Sequence, residues 1–489
     1  MDPELSRRSP SGSAALSAEG PLLHPSKFSS FLSVPWLRSW PVWTTILSLA
    51  LGSLYIYLLH KRVRGSDPAN PRTSLTPEQL DKVTHEDIDV TQAVPPATHK
   101  GYAIIGGSGF LGTYLVRLLI LRGETNIRVL DLHPPSPLVA SDPSVSYIKT
   151  DVTSLDSIRR GLHQPFPATG TPPTVIYHTA VVIRFWERAY YAWHLSYNVN
   201  VLGTRNIIAA AKEIPGAVLI YTSSSDTVIP STKFCRLGLD TDPRKTKVIS
   251  DDDPPLSHWE SHESSYARSK ALAERLVVEA NGQNGLKTGI IRPGSTITGP
   301  NDRLCTSTLT MARVPTFGKR FSQTNICAWD AVAAHLLLED ALGRKSGETA
   351  GQAFLVTGKG PAWSLRDVRE TIRHYSRRPL IFDDVPELPI FVLAHLVELF
   401  LFVRYHALLP FYLLVGKTPR PEPRWMGEAV YLQPATLEFM ADIVIDDSRA
   451  RRVLGYEPQW SPEQWIKYTV EEIQSSRTHA GHGLQLKPT

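Results

Sequence analysis

Gly101-Tyr102-Ala103-Ile104-Ile105-Gly106-Gly107-Ser108-Gly109-Phe110-Leu111-Gly112 is the stretch on which the fold of this chain turns. A short apolar run ends in glycines. Thr113 to Gly123 then carries apolar residues at helical spacing. The pattern is strand, glycine turn, helix. Gly106 suits a tight turn, Gly109 a close approach of backbone to a pyrophosphate, and Gly112 close packing of helix on strand. The helix start offers unpaired N–H groups and a partial positive charge to phosphate. Lying between a strand and a helix, the spacing marks a dinucleotide-binding loop. Phe110 and Leu111 belong to the same expected contact set.

Moving outward, Asn126 to Leu132 reads as the second strand, with Asp131 at its end, nineteen residues past Gly112 (131 − 112 = 19). A carboxylate there hydrogen-bonds a ribose hydroxyl and repels a 2′-phosphate, which points to NAD; Arg128 and His133 nearby soften that preference. Asp151-Val152 closes another strand-like run, where an Asp reaches toward the adenine amino group. Further strands read at Thr174–Ala180, Ala217–Ser225 and Leu286–Gly294, with helical stretches between. This alternation predicts an α/β fold, a doubly wound parallel sheet of Rossmann type. We place it at residues 100–300, with a smaller substrate-binding region at 301–475.

Tyr266 and Lys270, four residues apart, share one face of a predicted helix. A tyrosine ionises near pH ~10 in water, too high for a base at neutral pH. A neighbouring ammonium and an oxidised nicotinamide both lower that value. Lys270 is also placed to hold the nicotinamide ribose. Upstream, Tyr221, Thr222, Ser223, Ser224 and Ser225 end a strand at the carboxyl edge, where such sheets bind ligands. One serine there aligns a substrate oxygen for Tyr266. Asn200 is expected to fix a helix bend and a water near the lysine.

The chain has 489 residues, 42% hydrophobic and 20% charged, which excludes a largely disordered, collagen-like or polytopic membrane protein. With 52 Lys+Arg against 47 Asp+Glu the net charge is +5, too mild to predict a nucleic-acid partner. Cys235, Cys305 and Cys327 make neither a disulfide framework nor a metal-ligand spacing. The first 40 residues, rich in Ser and Pro, read as disordered. From Val42 to Leu59 there is no charge, and Pro41 to His60 as a helix covers about 27–30 Å, enough for a bilayer core. Trp40 and Trp43 lie at one end, and Tyr55, Tyr57, Lys61, Arg62 and Arg64 at the other. We read 41–60 as a single transmembrane anchor with a cytosolic main body, although Arg7, Arg8, Lys27 and Arg38 weaken the charge asymmetry. Proline-rich 61–99 reads as a linker and 476–489 as a tail. Residues 388–415, very apolar but interrupted by His395, Glu398, Arg404 and His406, read as a helical hairpin. It either dips into the membrane face or covers a substrate channel.

At this point the chain resembles the extended short-chain dehydrogenase/reductases, and within them the 3β-hydroxysteroid dehydrogenase/isomerase family. The shared pieces are IIGGSGFLG (104–112), YHTA (177–180), NVNVLGT (198–204), IYTSSS (220–225), SYARSKALAE (265–274) and IRPGSTITGP (291–300). NICAWDAVAAH (325–335) and DDSRARRVLGYEPQWSPEQW (446–465) also match, so the likeness covers about 100 to 475. By pattern the chain is most similar to fungal-type sterol-4α-carboxylate 3-dehydrogenases. The resemblance implies a serine, Tyr266 and Lys270 as catalytic residues, with Asn200 in support and Pro293 among the cofactor contacts. The family's serine stands three residues before a valine, and Val228 then points to Ser225, with Ser224 the fallback. Ile105 replaces the family's usual Thr before the glycines, and an Asp/Pro-rich insertion near Asp251 lengthens the path to Tyr266.

The implied activity is NAD-dependent oxidation of a 3β-hydroxyl on a sterol or triterpenoid, with decarboxylation where a 4-carboxylate is present. The alternatives are a 3β-hydroxysteroid dehydrogenase/Δ5-4 isomerase, an NADP-dependent ketone reductase, and a membrane-tethered binding protein with a degenerate fold. The implied setting is the endoplasmic reticulum membrane, with membrane lipid and a homodimer or sterol-pathway enzyme complex as partners. No metal is implied.

Overall fold

The computed structural model describes residues 40–64, 75–237, 239, 246–253, 256, 262–438 and 440–475. The expected disordered N-terminus (1–39 of it) and the tail 476–489 lie outside them. The chain forms two units, Met1–Leu58 and Leu59–Thr489. What is described of the first is the start of helix α1 (Trp40–Arg64), whose residues there are exposed on every side. With a mean hydropathy of 1.7 over its most apolar window, α1 is long and apolar enough to cross a membrane.

The second unit is built on one seven-stranded parallel sheet. In chain order its elements are β1 (Gly101–Ile105), α2 (Phe110–Arg122), β2 (Asn126–Asp131), β3 (Val145–Lys149) and α3 (Leu155–His163). They continue with β4 (Val175–His178), α4 (Gly203–Ala211), β5 (Val218–Thr222), α5 (Ser265–Ala280) and β6 (Lys287–Pro293). After β6 come α6 (Arg303–Thr310), α7 (Ala328–Arg344), β7 (Ala353–Val356), α8 (Leu365–Tyr375), α9 (Glu387–Leu413) and α10 (Pro462–Gln474). The strand order is β7-β6-β5-β4-β1-β2-β3. β1 is buried on both faces, which is why Tyr102 to Ile105 is apolar without alternation. One face packs α2 and α7 through Leu115, Leu118, Val332 and Leu336; the other packs α3, α4 and α5 through Ile158, Ile207, Ala273 and Val277. The sheet does not end at residue 300, because β7 supplies its seventh strand and α7 covers it.

The proline-rich segment before β1 is no free linker over its described part. Thr76 caps a short helix, Pro77–Leu80, with a full capping box. Ile88, Val90 and Val94 pack on the core, the Tyr375 hydroxyl donates to the Leu80 carbonyl (2.8 Å), and Lys467 Nζ donates to Val83 (2.6 Å). With Ala93, Ile88, Val90 and Val94 make four apolar side chains in a stretch that ends in Pro95 and Pro96, and they suffice to dock it.

The insertion before α5 contributes a strand, Thr246–Ile249, paired in parallel with Asp442–Ile445 in a second, four-stranded sheet. α9 is one continuous helix of 27 residues where a hairpin was expected, because its only breaker, Pro410, falls in the last turn. Phe391, Ala394, Leu401 and Tyr405 face the body, while Val392, Leu396, Leu399 and Val403 are exposed. Arg188 grips Glu398 with two hydrogen bonds (2.7 and 2.9 Å).

Candidate active site

The strand order reverses between β1 and β4, and the crevice beyond their carboxyl ends is where sheets of this type take a dinucleotide. The glycine loop lies there. Gly106 has φ +88°, and a Cβ on it would sit 2.5 Å from the Ala180 nitrogen. A Cβ on Gly112 would sit 2.1 Å from the Gly106 carbonyl oxygen. Gly109 caps α2 in extended backbone. The cradle is therefore closed to side chains at the points where phosphate must meet backbone. Leu111 is buried, and Phe110 packs edge-on against Tyr114.

Asp131, at the end of β2, accepts from Ser108 N (3.1 Å) and His133 N (3.2 Å), tying its carboxylate to the glycine loop. Arg128 does not share that space. Its guanidinium is buried against Phe166, 4.2 Å from the ring centre, and donates to the carbonyls of Gly161, Gln164 and Pro165. Asp151 folds its carboxylate onto Thr153 (2.9 Å to N, 2.7 Å to the hydroxyl), and the Val152 carbonyl accepts from Asn206 (3.1 Å). Pro293 is buried at the end of β6, in register with Val356.

α5 begins at Ser265 because Ser264 caps it, its hydroxyl accepting from Ala267 N (3.2 Å). Tyr266 therefore lies in the first turn and Lys270 one turn on. Lys270 is 2% exposed, and burial pushes its ammonium down to about 7. Its Nζ donates to the Thr222 carbonyl at the end of β5 and lies 4.3 Å from the Tyr221 ring centre. Burial, together with the carboxyls of Asp226 and Glu263, pushes the Tyr266 phenol up, while a hydrogen bond with the Ser224 side chain pulls the other way. Lowering it to a working value requires a cation at the site.

The three serines have three fates. Ser223 donates to Glu274 (2.7 Å), itself held by Arg292, which also binds Asp251 of the insertion (3.2 Å). Ser224 faces Tyr266. Ser225 is buried with its hydroxyl unpartnered. The valine spacing points to Ser225, whose hydroxyl is enclosed, whereas the hydroxyl beside the Tyr266 phenol is that of Ser224, the fallback. Ser224 stays extended (φ −155°, ψ 149°) and keeps the direction of β5, whereas Ser225 enters a tight 3-10 turn that carries it inward.

Asn200 does sit in a helix bend, a π-helical turn at Tyr197–Leu202. Its amide brackets Val182 from both sides (2.8 and 2.9 Å) and donates to the Ser269 hydroxyl (2.8 Å), so it links the loop after β4 to α5. Sequence reasoning missed His335, which accepts from the Thr222 hydroxyl (2.7 Å) while its Nδ1 donates to the Ala331 carbonyl (2.7 Å), and is pushed down to about 4 by burial. It also missed Asp226 and Glu263, although both acids flank quoted motifs.

A buried phenol, a serine beside it and a buried lysine one turn away, next to a glycine cradle, are the groups that an NAD(P)-dependent oxidoreductase acting on an alcohol or ketone requires. Comparison narrows the class. The chain belongs to the 3-beta hydroxysteroid dehydrogenase/isomerase family, whose sequence profile matches residues 103–376. It is 27% identical over 415 residues to the 3beta-hydroxysteroid-dehydrogenase/decarboxylase isoform 2 of Arabidopsis thaliana, covering 80% of this chain and 64% of that protein. It is 28% identical over 386 residues to the 3 beta-hydroxysteroid dehydrogenase type 7 of Rattus norvegicus, covering 76% of this chain and 95% of that one. Among solved structures, MoeE5 in complex with UDP-glucuronic acid and NAD superimposes with a TM-score of 0.52 at 17% identity, covering 77% of this chain and 99% of the other, a likeness of fold.

Proposed function

We propose that the protein oxidises the 3β-hydroxyl of a sterol or triterpenoid, with NAD as acceptor, and that its substrate is a 4-carboxysterol that loses carbon dioxide after oxidation. The observation that carries this reading is the Ser224–Tyr266 pair, one turn from Lys270, beside the glycine cradle. The residues fit a nicotinamide dinucleotide, since Gly106, Gly109 and Gly112 leave its pyrophosphate room and Asp131 stands at the ribose end. A dinucleotide held there by the glycine loop would supply the acceptor for the C3 hydride. Ser224 orients the substrate oxygen, and Tyr266 takes its proton. Lys270 is poised near neutrality to hold the ribose and pull the phenol down. Arg128 is committed to the Gly161, Gln164 and Pro165 carbonyls and the Asp131 carboxylate repels a 2′-phosphate, which favours NAD, although Lys149 stands in register with Asp131 on the neighbouring strand.

A 3-ketone beside a 4-carboxylate is a β-keto acid, which decarboxylates through an enol without a second redox step. Tyr266, protonated by then, stabilises the enolate oxygen. A second reading, double-bond isomerisation after oxidation, is favoured by one feature. Asp226 and Glu263 are buried beside Tyr266, both raised by burial, and proton shuttling needs such acids. For location we propose α1 as a single endoplasmic-reticulum anchor with the body cytosolic. On this reading α9 lies in the interfacial plane, since the Arg188–Glu398 pair holds its middle to the body.

The test is incubation of the full-length protein with NAD and matched 3β-hydroxysterols, with and without the 4-carboxylate. Reduced cofactor and carbon dioxide in equal amounts from the acid are expected. A ketone retaining every carbon, or a shifted double bond, would favour the second reading.

A further inference from the structure

Arg303 opens α6, and its cap Asp302 spends its carboxylate on the backbone nitrogens of Gly299 and Cys305 (2.9 and 2.6 Å). Three other half-buried or buried arginines are each paired with acids: Arg184 with Glu187 and Glu422, Arg188 with Glu398 and Glu438, Arg292 with Glu274 and Asp251. Arg303 forms no ion pair among the described residues, and its Nη1, closed off from solvent, has no hydrogen-bond partner. Its neighbours are aromatic. The guanidinium lies 4.0 Å from the Tyr431 ring centre, and also hydrogen-bonds that residue, and 6.0 Å from the Phe185 ring centre. A half-buried cation without an anion is costly, and its enclosed donor is more so.

The place matters as much as the vacancy. Phe185 stands two residues before Glu187, whose carbonyl accepts from Ser265 N (2.7 Å), the residue preceding Tyr266. The chain reaching Arg303 leaves β6 alongside Ser223, whose N donates to the Ile291 carbonyl (2.7 Å). It then passes the cofactor helix, where the Tyr114 hydroxyl donates to the Pro300 carbonyl (3.0 Å). These contacts tie the segments that carry Phe185 and Arg303 to the strand and helix that carry Ser224 and Tyr266. The wall behind it is apolar, with Phe185 and Tyr431 in one cluster with Trp186, Val430 and Leu401 of α9. A greasy surface leading from an exposed apolar helix to one unpaired guanidinium suits a hydrophobic molecule with a single acid.

We propose that Arg303 anchors the carboxylate of the substrate and sets the preference for 4-carboxysterols over sterols lacking the acid. This rests on the oxidation proposed above. A carboxylate and a cofactor phosphate present the same paired oxygens to a guanidinium, so the test must separate them. Arg303→Gln and Arg303→Lys are compared with wild type for kcat/KM on a 4-carboxysterol and on the matching sterol without the acid. KM for NAD is followed, and a cooperative thermal unfolding transition near that of wild type verifies that each variant is folded. A charge-assisted hydrogen bond corresponds to about 10- to 150-fold, so the selectivity ratio should fall by that much in the Gln variant. It should recover in part with Lys, which keeps the charge but not the fork. An unchanged ratio, or equal losses on both sterols, overturns the assignment. A parallel rise in KM for NAD overturns it in favour of the cofactor phosphate. A wild-type protein that oxidises neither sterol overturns the functional reading itself, which the variant data alone cannot do.

Discussion

Replacing Lys270 by Met should stabilise the protein while abolishing its activity. Lys270 is held at about 7, against an ordinary 10.5, by burial. The unfolded chain binds that proton below pH ~10.5 and the folded chain releases it until about 7. In between, the unfolded state carries more protons, so the wild-type protein loses stability as pH falls through this window and regains it as pH rises. A gap of about 3.5 at about 1.4 kcal/mol each sets an upper bound near 5 kcal/mol, reached below pH 7. At pH ~8 about 3–4 kcal/mol of that remains. Met fills similar volume but forfeits the hydrogen bond to Thr222 and the contact with the Tyr221 ring, each worth about 1 kcal/mol. The net expectation is about 1–3 kcal/mol of stabilisation near pH 7.5, shrinking to nothing or reversing by pH ~10. Thermal unfolding of detergent-solubilised full-length protein, without cofactor, across pH 7 to 10 would read it as a difference of a few degrees. A variant no more stable than wild type at neutral pH, or a difference that grows with pH, would refute the reasoning.

Ser224→Ala should lower kcat by about 10²-fold, in line with loss of one positioned donor, while Ser225→Ala stays within about tenfold; steady-state rates on one sterol decide. Gly112→Ala drives a Cβ to 2.1 Å from the Gly106 oxygen and 2.7 Å from the Gly107 Cα, both backbone, so neither can swing away. It should cost at least about 1–3 kcal/mol and most of the dinucleotide affinity, read by denaturation and fluorescence titration. Asp131→Ala should narrow the preference for NAD over NADP, read as the ratio of the two KM values, because the carboxylate that repels a 2′-phosphate is gone.

The elements set by local demands were readable in the chain. Gly106 and Gly112 are needed by backbone geometry that no other residue tolerates, and Tyr266 and Lys270 share a helix face by spacing alone. The parallel sheet followed from its buried apolar strands. What depended on rotation or long-range assembly was not readable. Which of three consecutive serines meets Tyr266 is decided where β5 gives way to a 3-10 turn, a change of direction that residue counting does not register. Arg303 gains meaning only when Phe185 and Tyr431, over a hundred residues away on either side, close around it. The docking of residues 75–99 was hidden by prolines that suggested a linker, and β7 by the assumption that a sheet ends where its motifs end.

The central claim, hydride removal from C3 with Tyr266 as proton acceptor, is tested most directly by isotope transfer. A 3β-hydroxy-4-carboxysterol carrying deuterium at C3 is incubated with NAD and the full-length protein, and the reduced cofactor and the ketone are analysed by mass spectrometry. The account predicts one deuterium on the cofactor for each ketone formed, and a rate about 10²–10⁴-fold lower with Tyr266→Phe. Reduced cofactor without deuterium, or ketone formed as fast by the Tyr266→Phe variant, would contradict it.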